Sequence, residues 1–362
     1  MTQSPPTISS PPSSAKKLHQ QTFLFFSICL NLDCSLVQIY SSTIRSALKA
    51  RSCPALFILK LNKFAIPGSE STKTDMAETL SEIELTDQNK LYLIQTGALD
   101  PLLQLLKNGR IQIKKVAGKA LLQLSILPQI GLHMIREGVV GPLFELLYRH
   151  SSQTSTLRKW VAPTIMHLAI STTVQEAEEE QVTFLESEED IFKFFSLISL
   201  TGPDIPTSIL KAFYAMCQSP SGLDIRMKLS QLSAVRVLVQ LCEVDNKVVR
   251  PNAVKLFFCL TEARDDSSFS EHAGQECIEN FLRIIETTND VEEIGAAMGI
   301  VSKLPKDPQI TQLLLDSGAL ETIFACLTDG NRHTGQILRL QRMLSKLFAV
   351  LLSQQLWNGR RW

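Results

Sequence analysis

The amino-acid sequence predicts an all-α solenoid, that is, a row of stacked three-helix units. Three observations lead to this prediction. One pattern, consisting of a turn, a short apolar helix, a break and a longer helix, recurs six times at intervals of about 41 to 51 residues. The apolar residues of each copy are spaced three and four apart, which is the period of a helix. Hydrophobic residues make up 44% of the chain and aromatic residues only 7%, which suits helices that pack through aliphatic side chains.

The clearest copy of the pattern lies between Gly97 and Ser125. Gly97 should end the preceding helix, predicted at Asn89–Thr96, because glycine readily adopts the left-handed conformation that terminates helices. Pro101 falls in the first turn of the next helix, where its missing N–H is of no consequence. Residues 111–124 then carry an apolar stripe with helical period, which predicts the longer helix.

The other copies align on the same turn. The aligned turn positions are Gly97, Gly138, Glu189, Ser233, Glu276 and Gly318. A small residue follows in the long helix of the first five copies, at Ala117, Ala162, Ala212, Ala253 and Ala296. Because each repeat buries its apolar face against a neighbour, we expect these alanines at close helix contacts.

The repeat array is predicted to begin at Met76 and to end near residue 356. The repeats are assigned to residues 86–130, 131–183, 184–226, 227–267, 268–308 and 309–356. An acidic connection at 174–190 accounts for the one long interval. Residues 1–75 are expected to be atypical or poorly ordered, and residues 357–362 to be a short tail. The apolar run Thr22–Leu32 is too short to span a bilayer and has no evident cleavage site, so neither an integral membrane span nor a secretory signal is favoured.

Charge and motifs exclude several classes of function. The formal net charge is zero, which gives no overall electrostatic attraction to nucleic acid or to an anionic membrane. The eight cysteines form no Cys-x-x-Cys pair, and the last five occupy apolar positions of predicted helices, which is typical of buried thiols in the reducing cytoplasm. The histidines have no metal-ligand spacing, so no metal or cofactor is predicted. The sequence contains no phosphate-binding loop, no His-Glu-x-x-His and no nucleophile elbow, and it therefore does not favour an enzyme.

A solenoid of this kind offers a concave surface lined by the third helix of each repeat. Basic residues recur near the starts of these helices, and the fifth repeat reverses the sign with Glu292 and Glu293. This pattern favours a protein partner with an acidic or phosphorylated segment, although the same residues are also ordinary at solvated helix ends. The candidate groove residues are Lys114, Lys115, Gln123, Arg158, Lys159, Trp160, His167, Lys211, Gln218, Lys247 and Arg250.

The segments LTDQNKLYLIQTGALDPLLQLLKNGRIQIKKVAGKALLQLS and LLLDSGALETIFACL resemble armadillo repeats, above all those of plant U-box E3 ubiquitin ligases. The resemblance implies a right-handed α-solenoid of about six armadillo repeats that binds a substrate or regulator. No U-box sequence is found, so ligase activity is not carried over to these residues. Importin-α-like receptors are similar in fold, but their asparagine ladder is replaced here by Gln123, Gln218, Cys259 and Ser302.

Two interpretations of function follow from the resemblance. In the first, the chain is a cytoplasmic protein-binding scaffold linked to protein ubiquitination as the substrate-binding part of a U-box-ligase-like protein. In the second, it is a fragment or relative of a U-box ligase whose U-box is missing from this chain.

Overall fold

A computed structural model describes residues 70–82, 85–148, 155–174, 184–185, 187–199, 202–219, 222–232, 234–262, 275–304, 308–319, 321–322 and 325. All regular secondary structure in these ranges is helical, which confirms the predicted all-α fold class. None of their helices is long and apolar enough to cross a membrane. Outside the described residues lie most of the predicted N-terminal segment, the acidic residues 175–183, the last helix of the sixth repeat, predicted at Ile337–Leu356, and the tail.

The chain divides into two compact units, Met1–Leu124 and Ser125–Trp362. The helices described in the first unit are α1 (Glu70–Glu82), α2 (Asp87–Gln95), α3 (Leu99–Asn108) and α4 (Ile111–Ser125), the last of which ends at the division. Those described in the second unit are α5 (Pro128–Arg136), α6 (Val140–Tyr148), α7 (Ser155–Ser171), α8 (Glu188–Ser196), α9 (Asp204–Gln218), α10 (Gly222–Gln231), α11 (Ala234–Glu243), α12 (Val249–Glu262), α13 (Gln275–Thr287), α14 (Val291–Ser302) and α15 (Pro308–Asp316). Short 3-10 turns follow α7 at Thr172–Val174 and α8 at Leu197–Ser199.

Helix α1 begins six residues earlier than the predicted start of the array. Its first turns, from Glu70 to Asp75, are polar and partly exposed, so they carry no apolar period that would reveal a helix. The hydroxyl of Thr74 donates to the carbonyl of Glu70, and the hydroxyl of Thr79 donates to that of Asp75, each at 2.7 Å. Apolar burial begins only at Met76, where the sequence pattern begins.

Glycines end two of the first helices as predicted. Gly97 follows α2 with φ 84°, and Gly138 follows α5 with φ 74°. In both turns the glycine N–H and the next N–H donate back to carbonyls of the last helical turn, as in a Schellman motif. Gly318, after α15, also has a positive φ, of 76°.

Two of the other aligned turn positions were wrong. Glu189 and Glu276 lie inside the first turns of α8 and α13. Before α8 the chain uses a side-chain cap, because the Ser187 hydroxyl accepts the N–H of Asp190 at 3.0 Å. Ser233 lies outside the described residues.

The third helices of repeats two to five form a continuous row in the second unit. Helix α7 packs against α9, α9 against α12, and α12 against α14. The predicted small residues are buried along this row, and Ala117 is buried in the first unit. Their exposed fractions are 0% for Ala117, 2% for Ala162, 0% for Ala212, 0% for Ala253 and 6% for Ala296. Four of the cysteines are buried free thiols, as predicted: Cys217, Cys242, Cys259 and Cys277.

Candidate protein-binding surface

Two of the three groove residues predicted in the first unit have hydrogen-bond partners within that unit. The Lys114 ammonium donates to the carbonyl of Lys107 at 2.8 Å. The Gln123 amide donates to the carbonyl of Ser81 at 3.0 Å and thereby joins α4 to α1. Lys115 is half-buried. Gln123 therefore stabilises the contact between helices of successive repeats.

The start of α7 brings together three predicted residues of the second unit. Arg158 is half-buried, and its Nε donates to the carbonyl of Leu147 at the end of α6, at 3.1 Å. Lys159 is exposed and forms no ion pair with the described residues. Trp160 is half-buried one position further on. Of the two basic side chains here, Lys159 is the one directed to solvent.

His167 lies two turns beyond Lys159 on the same stripe of α7. Its Nδ1 is 3.0 Å from the hydroxyl oxygen of Ser125, the first residue of the second unit. Burial lowers the pKa of His167, and the positive charge of Lys211 on α9 lowers it further. Lys211 is itself exposed and has no ion-pair partner among the described residues. A half-buried imidazole and an exposed ammonium therefore lie near one another on neighbouring third helices.

Tyr214 was not predicted, although it lies three positions after Lys211 on α9. Its ring is half-buried, and its hydroxyl interacts with the exposed Gln218 one helical turn later. Burial, and then the nearby Cys259 thiol, raise the pKa of Tyr214. The sequence contained a signal for it, because Lys211, Tyr214 and Gln218 are spaced three and four apart and must share one helical face.

On α12 and α14, the exposed basic side chains seen on α7 and α9 give way to an ion pair that was not predicted. The Lys255 ammonium lies 2.5 Å from a carboxylate oxygen of Glu292 and 3.8 Å from one of Asp290. The side chain of Lys255 is 15% exposed and that of Glu292 is 64% exposed. Lys255 is therefore paired with an acidic side chain, whereas Lys211 has no ion-pair partner among the residues that the structure describes.

The last two predicted groove residues have different surroundings. Lys247 is exposed in the turn before α12, in which the Asn246 side chain accepts the N–H groups of Val248 and Val249. Arg250 is only 6% exposed. Its Nε donates to a carboxylate oxygen of Glu293 at 2.7 Å, so the guanidinium faces the contact between α12 and α14 and is not offered to a partner. The prediction that Arg250 lines a groove is therefore wrong, because its guanidinium forms an internal ion pair with Glu293.

We call a set of eight exposed or half-buried side chains on the third helices of the second unit the third-helix face. Its members are Lys159, Trp160, His167, Lys211, Tyr214, Gln218, Lys255 and Glu292. No group of three or more His, Cys, Asp or Glu side chains within the described ranges could hold a metal ion. The arrangement is suited to contact with another molecule through charge, hydrogen bonding and aromatic surface.

Comparisons with known proteins bear on the fold and the family. Residues 86–126, which contain α2, α3 and α4, match the family described as Armadillo/beta-catenin-like repeat. The chain is 28% identical over 268 residues to U-box domain-containing protein 44 of Arabidopsis thaliana. That alignment covers 72% of this chain but only 33% of the relative, so the chain spans about a third of the length of the relative it matches.

One solved structure shows a similar fold. A crystal structure of an engineered protein aligns with a TM-score of 0.55 at 16% identity and covers 81% of this chain and 78% of its own. A designed armadillo repeat protein in complex with the peptide (KR)4 aligns with a TM-score of 0.49 at 15% identity, covering 70% of this chain and 99% of its own. The match of residues 86–126 to the armadillo repeat model confirms the predicted resemblance of the chain to armadillo-repeat proteins.

Proposed function

We propose that this chain is a protein-binding scaffold that recognises an acidic or phosphorylated segment of its partner through the third-helix face. The observation that carries the proposal is the packed row of α7, α9, α12 and α14. Such a row presents side chains of four repeats side by side, and extended segments can bind along surfaces of this kind.

The charges on the face favour an acidic partner at its N-terminal end. Lys159 and Lys211 are exposed and form no ion pair within the described part of the chain, whereas Lys255 is already paired with Glu292. An anionic group that approaches α7 and α9 meets positive charge that forms no ion pair with any acidic side chain in the described ranges. Charge reversal at Lys211 is therefore the sharpest test of this part.

The proposal includes a link to protein ubiquitination. It rests on the similarity to a plant U-box domain-containing protein, of which this chain matches about a third. In this role the chain binds the protein to be modified and acts as the substrate-binding part of a U-box-ligase-like protein in the cytoplasm, while a U-box protein supplies contact with the ubiquitin-conjugating enzyme.

The binding test uses the full chain and labelled peptides of equal length that are acidic, phosphorylated, neutral or basic. We expect the acidic and phosphorylated peptides to bind best, and their affinity to fall as salt rises from about 50 to about 500 mM. Lys211→Glu should weaken the binding of the acidic and phosphorylated peptides. The control Arg236→Glu makes the same charge change at an exposed position of α11 and should leave their binding unchanged. Preference for the basic peptide, or equal effects of the two variants, would contradict the proposal.

The ubiquitination link is tested separately with purified activating and conjugating enzymes. The chain alone should give no autoubiquitination, and a bound protein should be modified only when a U-box protein is added. Autoubiquitination by the chain alone would instead support the interpretation as a ligase.

A further inference from the structure

Two carboxylates share one lysine where α12 meets α14. The Lys255 ammonium lies 2.5 Å from a carboxylate oxygen of Glu292 and 3.8 Å from one of Asp290, and these two acidic side chains are 64% and 40% exposed. The other oxygen of Asp290 accepts the N–H groups of Glu292 and Glu293, which holds this carboxylate at the start of α14. Lys247, in the turn before α12, forms no ion pair with the described residues. The group of Lys255, Asp290 and Glu292 therefore has one net negative charge.

One turn after Glu292, α14 has a glycine on the same side of the helix. Gly295 is half-buried in the interior of α14, where glycine weakens a helix relative to alanine. A Cβ at this position would meet no atom of another described residue within 4 Å. Packing explains Gly131 in α5, because a Cβ there would collide with the Ser171 hydroxyl. Gly295 has no such contact, and a missing side chain on an open surface permits the close approach of another main chain.

Three packed helices, α9, α12 and α14, lead from the exposed Lys211 to Gly295. In each of them one residue directly precedes the buried alanine on which the repeats align. These residues are Lys211, Asn252 and Gly295. The ion pair of Arg250 and Glu293, which are 43 residues apart, joins α12 to α14 in the register given by the alanines. Lys211 and Gly295 therefore lie at equivalent positions of helices that are two steps apart in the row.

This spacing fixes how long a segment must be to reach both places. Packed helices lie about 8 to 10 Å apart, so Lys211 and Gly295 are separated by about 16 to 20 Å. An extended chain advances about 3.3 Å per residue, so about five or six residues span this distance. A segment with an anionic group at Lys211 therefore reaches the carboxylate of Glu292 about six residues away. A positive charge is favoured at that second place.

We propose that the partner segment crosses α12 and α14 with its main chain against Gly295, and that it has a basic side chain for Glu292 and Asp290 about six residues from its anionic group. The proposal rests on the proposed function and specifies the charge pattern of the bound segment. The basic side chain supplies the positive charge that Lys255 alone does not provide for two carboxylates. An arginine is well suited to this place, because its planar guanidinium donates two parallel hydrogen bonds to a carboxylate.

The experiment measures binding of labelled peptides to the full chain by fluorescence anisotropy at low salt. Every probe has a short block of Glu followed by Gly and Ser. The first probe has Arg about six residues after the block, the second has Arg directly after the block, and the third has Gln in place of the distant Arg. We expect the first probe to bind about two- to fivefold more tightly than the third, which is the effect of one added ion pair near the surface. The second probe has the composition of the first and should bind no more tightly than the third.

Glu292→Gln tests the charge at the second place. It should remove the advantage of the first probe over the third without weakening the third, because a probe without Arg then meets one carboxylate fewer. Glu189→Gln is the matched control, since it also breaks an exposed pair of glutamate and lysine, on α8, and it should leave the binding of all three probes unchanged. If Glu292→Gln lowers the helical circular dichroism, Asp290→Asn replaces it, because asparagine still caps the helix.

Gly295→Ala tests the close approach of the main chain and separates binding from stability. The added methyl group enters open space in a helix, so the urea midpoint of unfolding should rise. The same methyl group keeps the segment away from α14, so the first probe should bind about fivefold or more weakly. Gly141→Ala is the matched control, because it also adds a methyl group in open space but lies in α6. It should raise the urea midpoint and leave the affinity unchanged.

The outcomes distinguish this inference from the proposed function. If the first probe binds no better than the third, or no better than the second, the inference is overturned while an acidic-segment scaffold still stands. The same conclusion follows if Glu292→Gln or Gly295→Ala binds the first probe as tightly as the wild type does. If none of the probes binds, or if Lys211→Glu leaves the affinity of all three unchanged, both the inference and the proposed function are overturned.

Discussion

Arg250 and Glu293, separated by 43 residues and therefore by one repeat, form a buried ion pair between α12 and α14. Arg250 Nε donates to Glu293 at 2.7 Å, and its terminal nitrogens lie 3.4 Å from the second oxygen of Glu293 and 3.2 Å from Asp245. The Thr288 hydroxyl donates to Glu293 at 2.6 Å. The hydrogen bond and charge of Glu293 raise the pKa of Arg250 above its ordinary value, so the guanidinium stays charged throughout the accessible pH range.

Removal of one partner of this pair should destabilise the protein strongly. Glu293→Gln leaves Arg250 with the exposed carboxylate of Asp245 as its remaining ion-pair partner among the described residues, and we expect a loss of about 3 kcal/mol in the free energy of unfolding measured with urea. The control Glu189→Gln breaks the ion pair between Glu189 and Lys193, in which the side chain of Glu189 is 74% exposed and that of Lys193 is 49% exposed. It should change the free energy of unfolding by less than about 0.5 kcal/mol. The double variant Arg250→Met, Glu293→Met should recover much of the loss. Equal effects of the two Glu→Gln changes would contradict the importance of the buried pair.

Ala253 should tolerate no large charged side chain. It is fully buried in α12, so the guanidinium of Ala253→Arg would enter the helix contact without a partner. We expect a loss of more than about 3 kcal/mol, seen as a lowered urea midpoint and a decrease in helical circular dichroism. Gln240→Arg, at an exposed position of α11, is the control and should be nearly neutral. A stable, fully helical Ala253→Arg protein would refute the packing described for α12.

Gly138 and Gly141 should respond to alanine in opposite directions. A Cβ at either position meets no other atom within 4 Å, so backbone conformation alone decides the outcome. Gly138 has φ 74°, and Gly138→Ala should cost about 1 kcal/mol of stability. Gly141 lies in the first turn of α6, where Gly141→Ala should stabilise by about 0.5 kcal/mol by restricting the unfolded chain. Paired thermal unfolding curves test the signs, and a shift in the same direction for both would show that φ at Gly138 is not decisive.

His167 should make stability decrease in mild acid. Its folded-state pKa is lowered by burial and by Lys211, so the unfolded chain takes up the proton more readily. The contribution is complete above the unfolded value of about 6.5 and is lost as pH falls from there through the folded pKa. Urea unfolding of wild type and His167→Gln between about pH 8 and about pH 5 should therefore show a smaller decline in the variant. An equal decline in both would mean that His167 does not contribute to this dependence.

The buried thiols should be inert in the folded protein. Burial, followed by the nearby charge of Glu243, raises the pKa of Cys277 to about 11, and burial raises the pKa of the fully buried Cys242 well above its ordinary value. Because the thiolate is the reactive species, iodoacetamide at about pH 8 should label neither residue until denaturant is added. Peptide mass spectrometry reports each site. Native labelling of Cys242 at the rate of the unfolded chain would contradict its burial.

The repeats themselves could be predicted because their signals are local. An alanine near the same point of the first five long helices follows from close packing, and a glycine after a short helix follows from left-handed backbone conformation. Both patterns are visible in a single sequence. The turn alignment failed at Glu189, where the side chain of Ser187 caps the helix in place of a glycine. Polar helical turns such as those from Glu70 to Asp75 also carry no apolar period.

The side chains on the candidate surface were harder to predict because their roles depend on the neighbouring repeat. In the sequence, Arg250 and Lys211 are both basic residues of predicted third helices. In the structure, Arg250 is buried against Glu293 and Lys211 is exposed. The signal that distinguishes them is the opposite charge one repeat further on: Glu293 follows Arg250 by 43 residues, while no acidic residue occupies the corresponding place after Lys211. The pair of Lys255 with Glu292 is not revealed in this way, because the two residues are only 37 apart in the sequence.

The pairing of Arg250 with Glu293 also limits how this array can gain or lose units. Deletion of the fifth repeat would leave Arg250 charged inside a contact with a helix that was not selected to receive it, and duplication of the fourth repeat would place a second guanidinium where the first requires a carboxylate. A graft onto another scaffold would therefore have to carry the fourth and fifth repeats together as a single block, although each has the length of an independent module.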